Sequence, residues 1–138
     1  MDIAKSCDYA IRGLLLLAQR ANPYEPVLLR DIAKQAGAPE AFLSKIFQSL
    51  RASSLVRSHR GAKRGYALAR PPADISLYDI VVATEGVAAL RSAPSNGVAV
   101  KGGDAFQRVW AEIEDVVAQS MKRTTLHSML ENNPEGLA

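Results

Sequence analysis

The sequence predicts a mainly α-helical domain closed by one small β-hairpin and followed by a single long amphipathic helix. Three observations carry that expectation. Apolar residues recur at spacings of three and four through most of the chain. Two short β-prone runs flank one glycine-containing turn, and the last third keeps one apolar stripe for about four turns.

The first helix is expected over Ile3 to Ala21, where Ile3, Cys7, Ala10, Ile11, Leu14, Leu17 and Ala18 share a face. Leu15 and Leu16 widen the apolar surface, which suits a helix packed on more than one side. Asn22-Pro23-Tyr24-Glu25-Pro26 ends it, because proline cannot continue a helix and restricts its predecessor. Leu29 to Gln35 forms a short second helix with Ile32 and Ala33 inward. Gly37-Ala38-Pro39 is a tight turn, glycine ending one helix and proline suiting the first turn of the next. The third helix, Glu40 to Ser53, has the core stripe Leu43, Ile46, Phe47 and Leu50. That stripe leaves Ala41, Ser44, Lys45, Gln48 and Arg51 to solvent. Residues 55–60 and 65–70 read as strands around the basic turn Gly61-Ala62-Lys63-Arg64, and Pro71-Pro72 closes the hairpin. A fourth helix opens at Asp74-Ile75-Ser76 and runs to Glu85, and Gly86 to Gly103 is a loop without sustained period. The long helix carries Phe106, Val109, Trp110, Ile113, Val116, Val117, Ser120 and Met121, and Thr124 or Thr125 caps a last short helix.

Charge is unevenly distributed along this pattern. From Ala41 to Ala73 there is no Asp or Glu, while Lys45, Arg51, Arg57, Arg60, Lys63, Arg64 and Arg70 all fall there. All fourteen acids lie elsewhere, so a net charge of +3 conceals a polarised molecule. A basic segment that accepts this self-repulsion is the electrostatic footprint of a surface that meets a polyanion. Helix, glycine turn, helix and hairpin in that order is the winged helix–turn–helix arrangement. A helix of about 10–12 Å diameter fits the major groove of B-DNA, and a hairpin tip reaches the backbone or the neighbouring minor groove.

Other classes fit poorly. The apolar run Ile11 to Ala18 is interrupted by Arg12 and is far shorter than the roughly 20 residues of a membrane span. Met1 to Lys5 lacks the pattern of a signal peptide, so a cytoplasmic protein without membrane contact is expected. A single cysteine excludes an intramolecular disulfide framework. Ser58-His59 adjacency is no catalytic dyad, and no phosphate-cradling glycine loop is present, so an enzyme is not expected.

The chain resembles the Rrf2 family of bacterial transcription regulators over nearly its whole length. The resemblance lies in Tyr9-Ala10, Asp31-Ile32-Ala33, Phe42-Leu43-Ser44-Lys45-Ile46 with Leu50, Leu55-Val56 and Ser58-His59-Arg60-Gly61. It continues through Gly65-Tyr66-Ala67-Leu68-Ala69-Arg70, Ile75-Ser76-Leu77-Tyr78-Asp79-Ile80 and Glu85-Gly86. The family includes iron–sulfur, nitric-oxide and cysteine-metabolism regulators. The resemblance implies a DNA-binding domain over residues 1–86, a flexible loop over 87–103, and a dimerisation helix with tail over 104–138. It places DNA contacts on Ala41, Ser44, Lys45 and Gln48 of the third helix and on Arg60 of the wing, and the basic segment itself adds Arg51, Arg57, His59, Lys63 and Arg64 as candidate contacts. It places a homodimer seam on Phe106, Val109, Trp110, Ile113, Val116 and Val117. The implied partner is double-stranded DNA carrying an inverted repeat, with an unknown effector.

Two departures stand out. The wing usually has two glycines before the tyrosine, whereas here Arg64-Gly65 precedes Tyr66. Many members hold an iron–sulfur cluster through three cysteines in the loop before the long helix, but residues 87–104 contain neither cysteine nor histidine. Thiolate ligation is impossible there, so the expectation is a regulator without metal or cofactor. A cluster-bearing branch uses an acidic residue at the position of Asp8. Here Asp8 is expected to form an i,i+4 ion pair with Arg12. Cys7 is read as a small buried hydrophobe, with a redox-sensing thiol as the alternative. A protein-interaction module that docks an enzyme partner through the loop Gly86–Gly103 is the alternative to direct DNA regulation.

Overall fold

The computed structural model describes residues 3–90 and 103–132. Six α-helices and one hairpin run in the order α1 (Lys5–Ala18), α2 (Leu29–Ala36), α3 (Glu40–Ala52), β1 (Val56–His59), β2 (Gly65–Leu68), α4 (Leu77–Glu85), α5 (Gly103–Arg123) and α6 (Leu126–Asn132). The core is a cluster of apolar side chains from every element except α5, with Leu14, Leu17, Leu43, Phe47, Leu50, Leu55, Leu68, Ile75, Ile80 and Leu126 all fully buried.

Helix α1 lies at the centre of that core. Cys7, Ala10, Gly13, Leu14, Leu15, Leu17 and Ala18 are buried, which is more than one face of a helix. Ile3 lies before the helix and is exposed, because the chain enters α1 only at Lys5. The helix stops at Ala18 rather than at Ala21, ahead of the Pro23–Pro26 segment. Gly37 at φ +69° ends α2 in the left-handed conformation that glycine adopts without penalty.

The end of α3 uses a different residue for the same task. Ser54 sits at φ +61°, its N–H donating to Arg51 O (2.9 Å), while the N–H of Leu55 donates to Leu50 O (3.0 Å). This pair of bonds is a Schellman termination, and it turns the chain directly into β1. Strands β1 and β2 pair antiparallel with Val56 opposite Leu68 and His59 opposite Gly65. Val27 forms an isolated antiparallel bridge on the outer edge of β2, exchanging both backbone hydrogen bonds with Tyr66 at 2.9 Å. Nothing in the local pattern around Pro26-Val27 announced that pairing.

Ser76 and Asp79 form a reciprocal capping box at the start of α4. Thr125 and Ser128 exchange the same pair of bonds at the start of α6, which settles the choice between Thr124 and Thr125 as cap. Residues 87–90 form a short 3-10 turn, and the rest of the loop expected over Gly86–Gly103 lies outside the described residues up to residue 102.

The C-terminal segment holds the long helix α5 and the short helix α6, as the sequence pattern expected. Helix α6 returns to the first module: Leu126 is fully buried, its N–H donates to Ile75 O (3.0 Å), and Leu77 N–H donates to Thr124 O (2.7 Å). Seven residues make too weak a periodic signal to reveal which surface they cover. Because Leu126 fills the core, Leu126→Ala should lower unfolding stability by about 2–5 kcal/mol in chemical denaturation. A loss within experimental error would remove α6 from the core.

Candidate nucleic-acid interface

Helix α3 and the wing meet at one aromatic ring. Phe47 is fully buried against α1, and its ring contacts Tyr66 of β2 edge-on at 5.1 Å between centroids. Leu43, Ile46 and Leu50 share its inward face. The opposite face therefore points outward, with Ala41, Lys45, Gln48 and Arg51 exposed and Ser44 half-buried. Phe42 flanks that face, packing edge-on against Tyr9 of α1 at 5.7 Å.

In β1 the alternation puts Val56 inside and Arg57 and His59 outside. Arg60, Lys63 and Arg64 are exposed around the turn. Gly65 explains the tolerated and the obligatory positions of this wing. Its φ of +134° is accessible to glycine, and a Cβ there would lie 2.2 Å from Val27 O. Arg64, where the family usually has the other glycine, is not among the positive-φ residues, so its side chain is accommodated without backbone strain. Gly61, at φ +92°, opens the turn.

The described basic groups of this surface are available for an external anion. Among the described residues of the carboxylate-free segment, Arg70 is the cation held in an ion pair, with Asp79 at 3.8 Å. Lys63 and Arg64 line an open cleft that also holds Arg20, Glu25 and Asp31, so carboxylates lie across from the wing tip although they are distant in sequence. The expected Asp8–Arg12 pair is present at 3.2 Å.

Cys7 is 2% exposed, and burial pushes its thiol above the ordinary range. A hydrogen bond with Thr84 acts the other way, while Glu85 and Asp8 raise it further. Burial and acidic neighbours both disfavour a reactive thiolate, and the packed-hydrophobe reading fits this environment. On α5, Phe106 and Val116 are each 67% exposed, with Val109, Trp110 and Ile113 also exposed and Val117 half-buried. Phe106 and Trp110 stack on each other at 6.2 Å.

Known proteins resemble this chain in both sequence and structure. A family model described as Rrf2, iron-dependent transcriptional regulator, matches residues 3–132. Rv1287 of Mycobacterium tuberculosis, described as a candidate HTH-type transcriptional regulator, is 34% identical over 128 residues, covering 91% of this chain and 79% of the relative. The structure of CymR, the global cysteine regulator of B. subtilis, superposes with a TM-score of 0.78 at 26% identity, covering 96% of this chain and 98% of that one. IscR of T. potens superposes with a TM-score of 0.76 at 30% identity, covering 99% and 90%. The donor set here does not fit the iron–sulfur group that the family resemblance implies. The chain has one cysteine, which is buried, and its two histidines lie on β1 and α6. Among the described residues no three His, Cys, Asp or Glu side chains converge as a metal site. Family model, sequence relatives and winged-helix geometry agree, and the chain belongs to the Rrf2 family of DNA-binding transcriptional regulators.

Proposed function

We propose that this protein is a cytoplasmic homodimeric repressor that binds an inverted-repeat operator and works without an iron–sulfur cluster. The observation that carries the reading is the outward face of α3 set beside a wing whose exposed cations form no ion pair among the described residues. Lys45 and Gln48 supply donors and acceptors on the face that enters a major groove, where base edges differ in their hydrogen-bonding pattern. Ala41 and Ser44 allow close approach in the same groove. Arg51, Arg57, His59 and Arg60 flank it, and Lys63 and Arg64 carry charge on the turn. Such cations bind phosphate and release counterions, which supplies affinity without sequence information. No helix among the described residues is long and apolar enough to cross a membrane, which suits a protein whose partner is DNA.

The apolar stripe of α5 supports the dimer. Burying a Val, Ile or Phe side chain contributes roughly 1.5–3 kcal/mol, so five exposed large residues on one helix leave substantial free energy for a second copy to recover. A two-fold dimer places two α3 helices about 34–36 Å apart, or a multiple of that distance, and calls for an inverted repeat. Bound across a promoter, such a dimer represses by occupying the site. The lone buried cysteine supports a signal that arrives by a route other than a cluster.

Selection of bound duplexes from a random pool, followed by titration of variants, tests the division of labour. Lys45→Ala or Gln48→Ala should reduce affinity for the selected site by about 1–3 kcal/mol and alter base preference at one position per half-site. Lys63→Ala or Arg64→Ala should weaken all sequences alike and reduce the salt slope by about one unit. An unaltered preference in the α3 variants, with altered preference in the wing variants, would transfer readout to the wing. Ile113→Glu places a charge in the seam and should sediment as a monomer. An intact dimer would move the interface elsewhere.

A further inference from the structure

Arg70 follows β2 and belongs by sequence to the basic segment, yet its guanidinium, partly exposed, lies back along the protein surface rather than reaching into solvent. Its Nη2 donates to the carbonyl of Ser53 at 3.3 Å, and its Nη1 stands 3.8 Å from Asp79 Oδ2. Ser53 is the C-cap of α3, where carbonyls lack intrahelical partners and the helix dipole favours a cation. Asp79 lies in the first turn of α4, and the same Oδ2 accepts the N–H of Ser76 at 3.0 Å. One side chain therefore joins the end of α3, the end of the wing and the start of α4.

The start of α4 is in turn fixed to the end of α5. Leu77 N–H donates to Thr124 O (2.7 Å), and the Lys122 ammonium sits over the Tyr78 ring at 4.6 Å from its centroid. A continuous set of contacts thus runs from the C-terminus of α3 to the C-terminus of the helix that carries the exposed stripe. The covalent path between α3 and β1 is the single Schellman turn at Ser53–Leu55, so the angle between reading helix and wing depends on whatever braces that turn. A guanidinium presents several donors in a rigid fork, which suits simultaneous contact with a carbonyl and a carboxylate.

We propose that Arg70 is a positioning residue for DNA recognition, a brace that fixes α3 against the wing and couples both to α5, and not a phosphate ligand. The proposal rests on the assignment of α3 and the wing as the DNA-contacting elements. A phosphate ligand and a brace differ in what their loss does. Removing a phosphate contact weakens every duplex and lowers the salt slope. Removing a brace lowers affinity for the selected site, which needs both elements in register, and spares electrostatic binding to any duplex.

The test uses the full chain by fluorescence polarisation across a salt series. Its probes are a duplex that the wild-type protein selects from a random pool and a scrambled duplex of equal length. Arg70→Gln should lower affinity for the selected duplex roughly five- to tenfold, with scrambled-duplex affinity and salt slope unchanged. Asp79→Asn keeps the cap acceptor while removing the charge, and it should reproduce part of that loss. The double variant should lose less than the sum of the two singles. Arg70→Lys keeps the charge without the fork and guards against a variant that fails to fold. It should match wild type on the scrambled duplex and remain weaker on the selected one. A salt slope reduced by about one unit, with equal losses on both duplexes, would make Arg70 a phosphate ligand and overturn the proposal. A fall in melting temperature with an unchanged selected-to-scrambled ratio would reduce it to a structural contact. Absence of salt-dependent duplex binding by the wild-type chain would overturn the assignment of α3 and the wing as well.

Discussion

The seating of Phe47 is the constraint on which the rest of this structure depends. A Cβ at Gly13 would stand 2.9 Å from the Phe47 ring and 3.3 Å from Ile32, so α1 and α3 approach this closely because position 13 has no side chain. Glycine inside a helix costs roughly 1 kcal/mol relative to alanine. That penalty is offset where it lets a large aromatic ring be fully buried. The same ring then receives Tyr66 from β2. Helix α3 and the wing are thus both referenced to one side chain and through it to α1. The outward face of α3 follows geometrically, since Leu43, Ile46, Phe47 and Leu50 consume the inward one.

That arrangement separates two tasks which the charge pattern alone would merge. Seven cations crowd one acid-free stretch, but the fold does not use them alike. Arg70 is drawn back against Ser53 and Asp79, while Lys45 and Arg51 stand on α3, and Arg60, Lys63 and Arg64 stand around the turn. In the proposed division of labour, cations on the exposed turn deliver charge to phosphates, whereas side chains on a packed helix hold the geometry that base edges require. The Glu25 and Asp31 carboxylates across the cleft from Lys63 and Arg64 moderate the field at the tip. A linear reading of charge cannot register them.

How much was legible in the sequence follows from the range of the interactions involved. The α3 stripe, the Gly37 turn, the hairpin and the apolar face of α5 were readable because period and turn chemistry are local properties. The requirement for glycine at position 65 was visible as a motif, but its cause is Val27 O, some forty residues earlier in the chain, which only the folded structure brings close. The return of α6 was hidden for the same reason: Leu126 meets Ile75 across the fold, and a seven-residue amphipathic segment fits many surfaces. Ile3 shows the opposite failure, where an apolar residue in phase with a helix lies just outside it and remains exposed. Among the interface residues, local pattern separated inward from outward on α3, yet it could not distinguish an arginine that braces from one that reaches out.

The measurement that most directly tests this account is backbone amide chemical-shift mapping of the labelled protein as a selected duplex is added. The account predicts that the largest changes fall on the outward face of α3, from Ala41 to Gln48, and on the turn from Arg60 to Arg64. The exposed stripe of α5 should stay unperturbed, because in the proposed homodimer a second subunit covers it. Changes concentrated on α5 or on the far side of α1, with α3 silent, would contradict it.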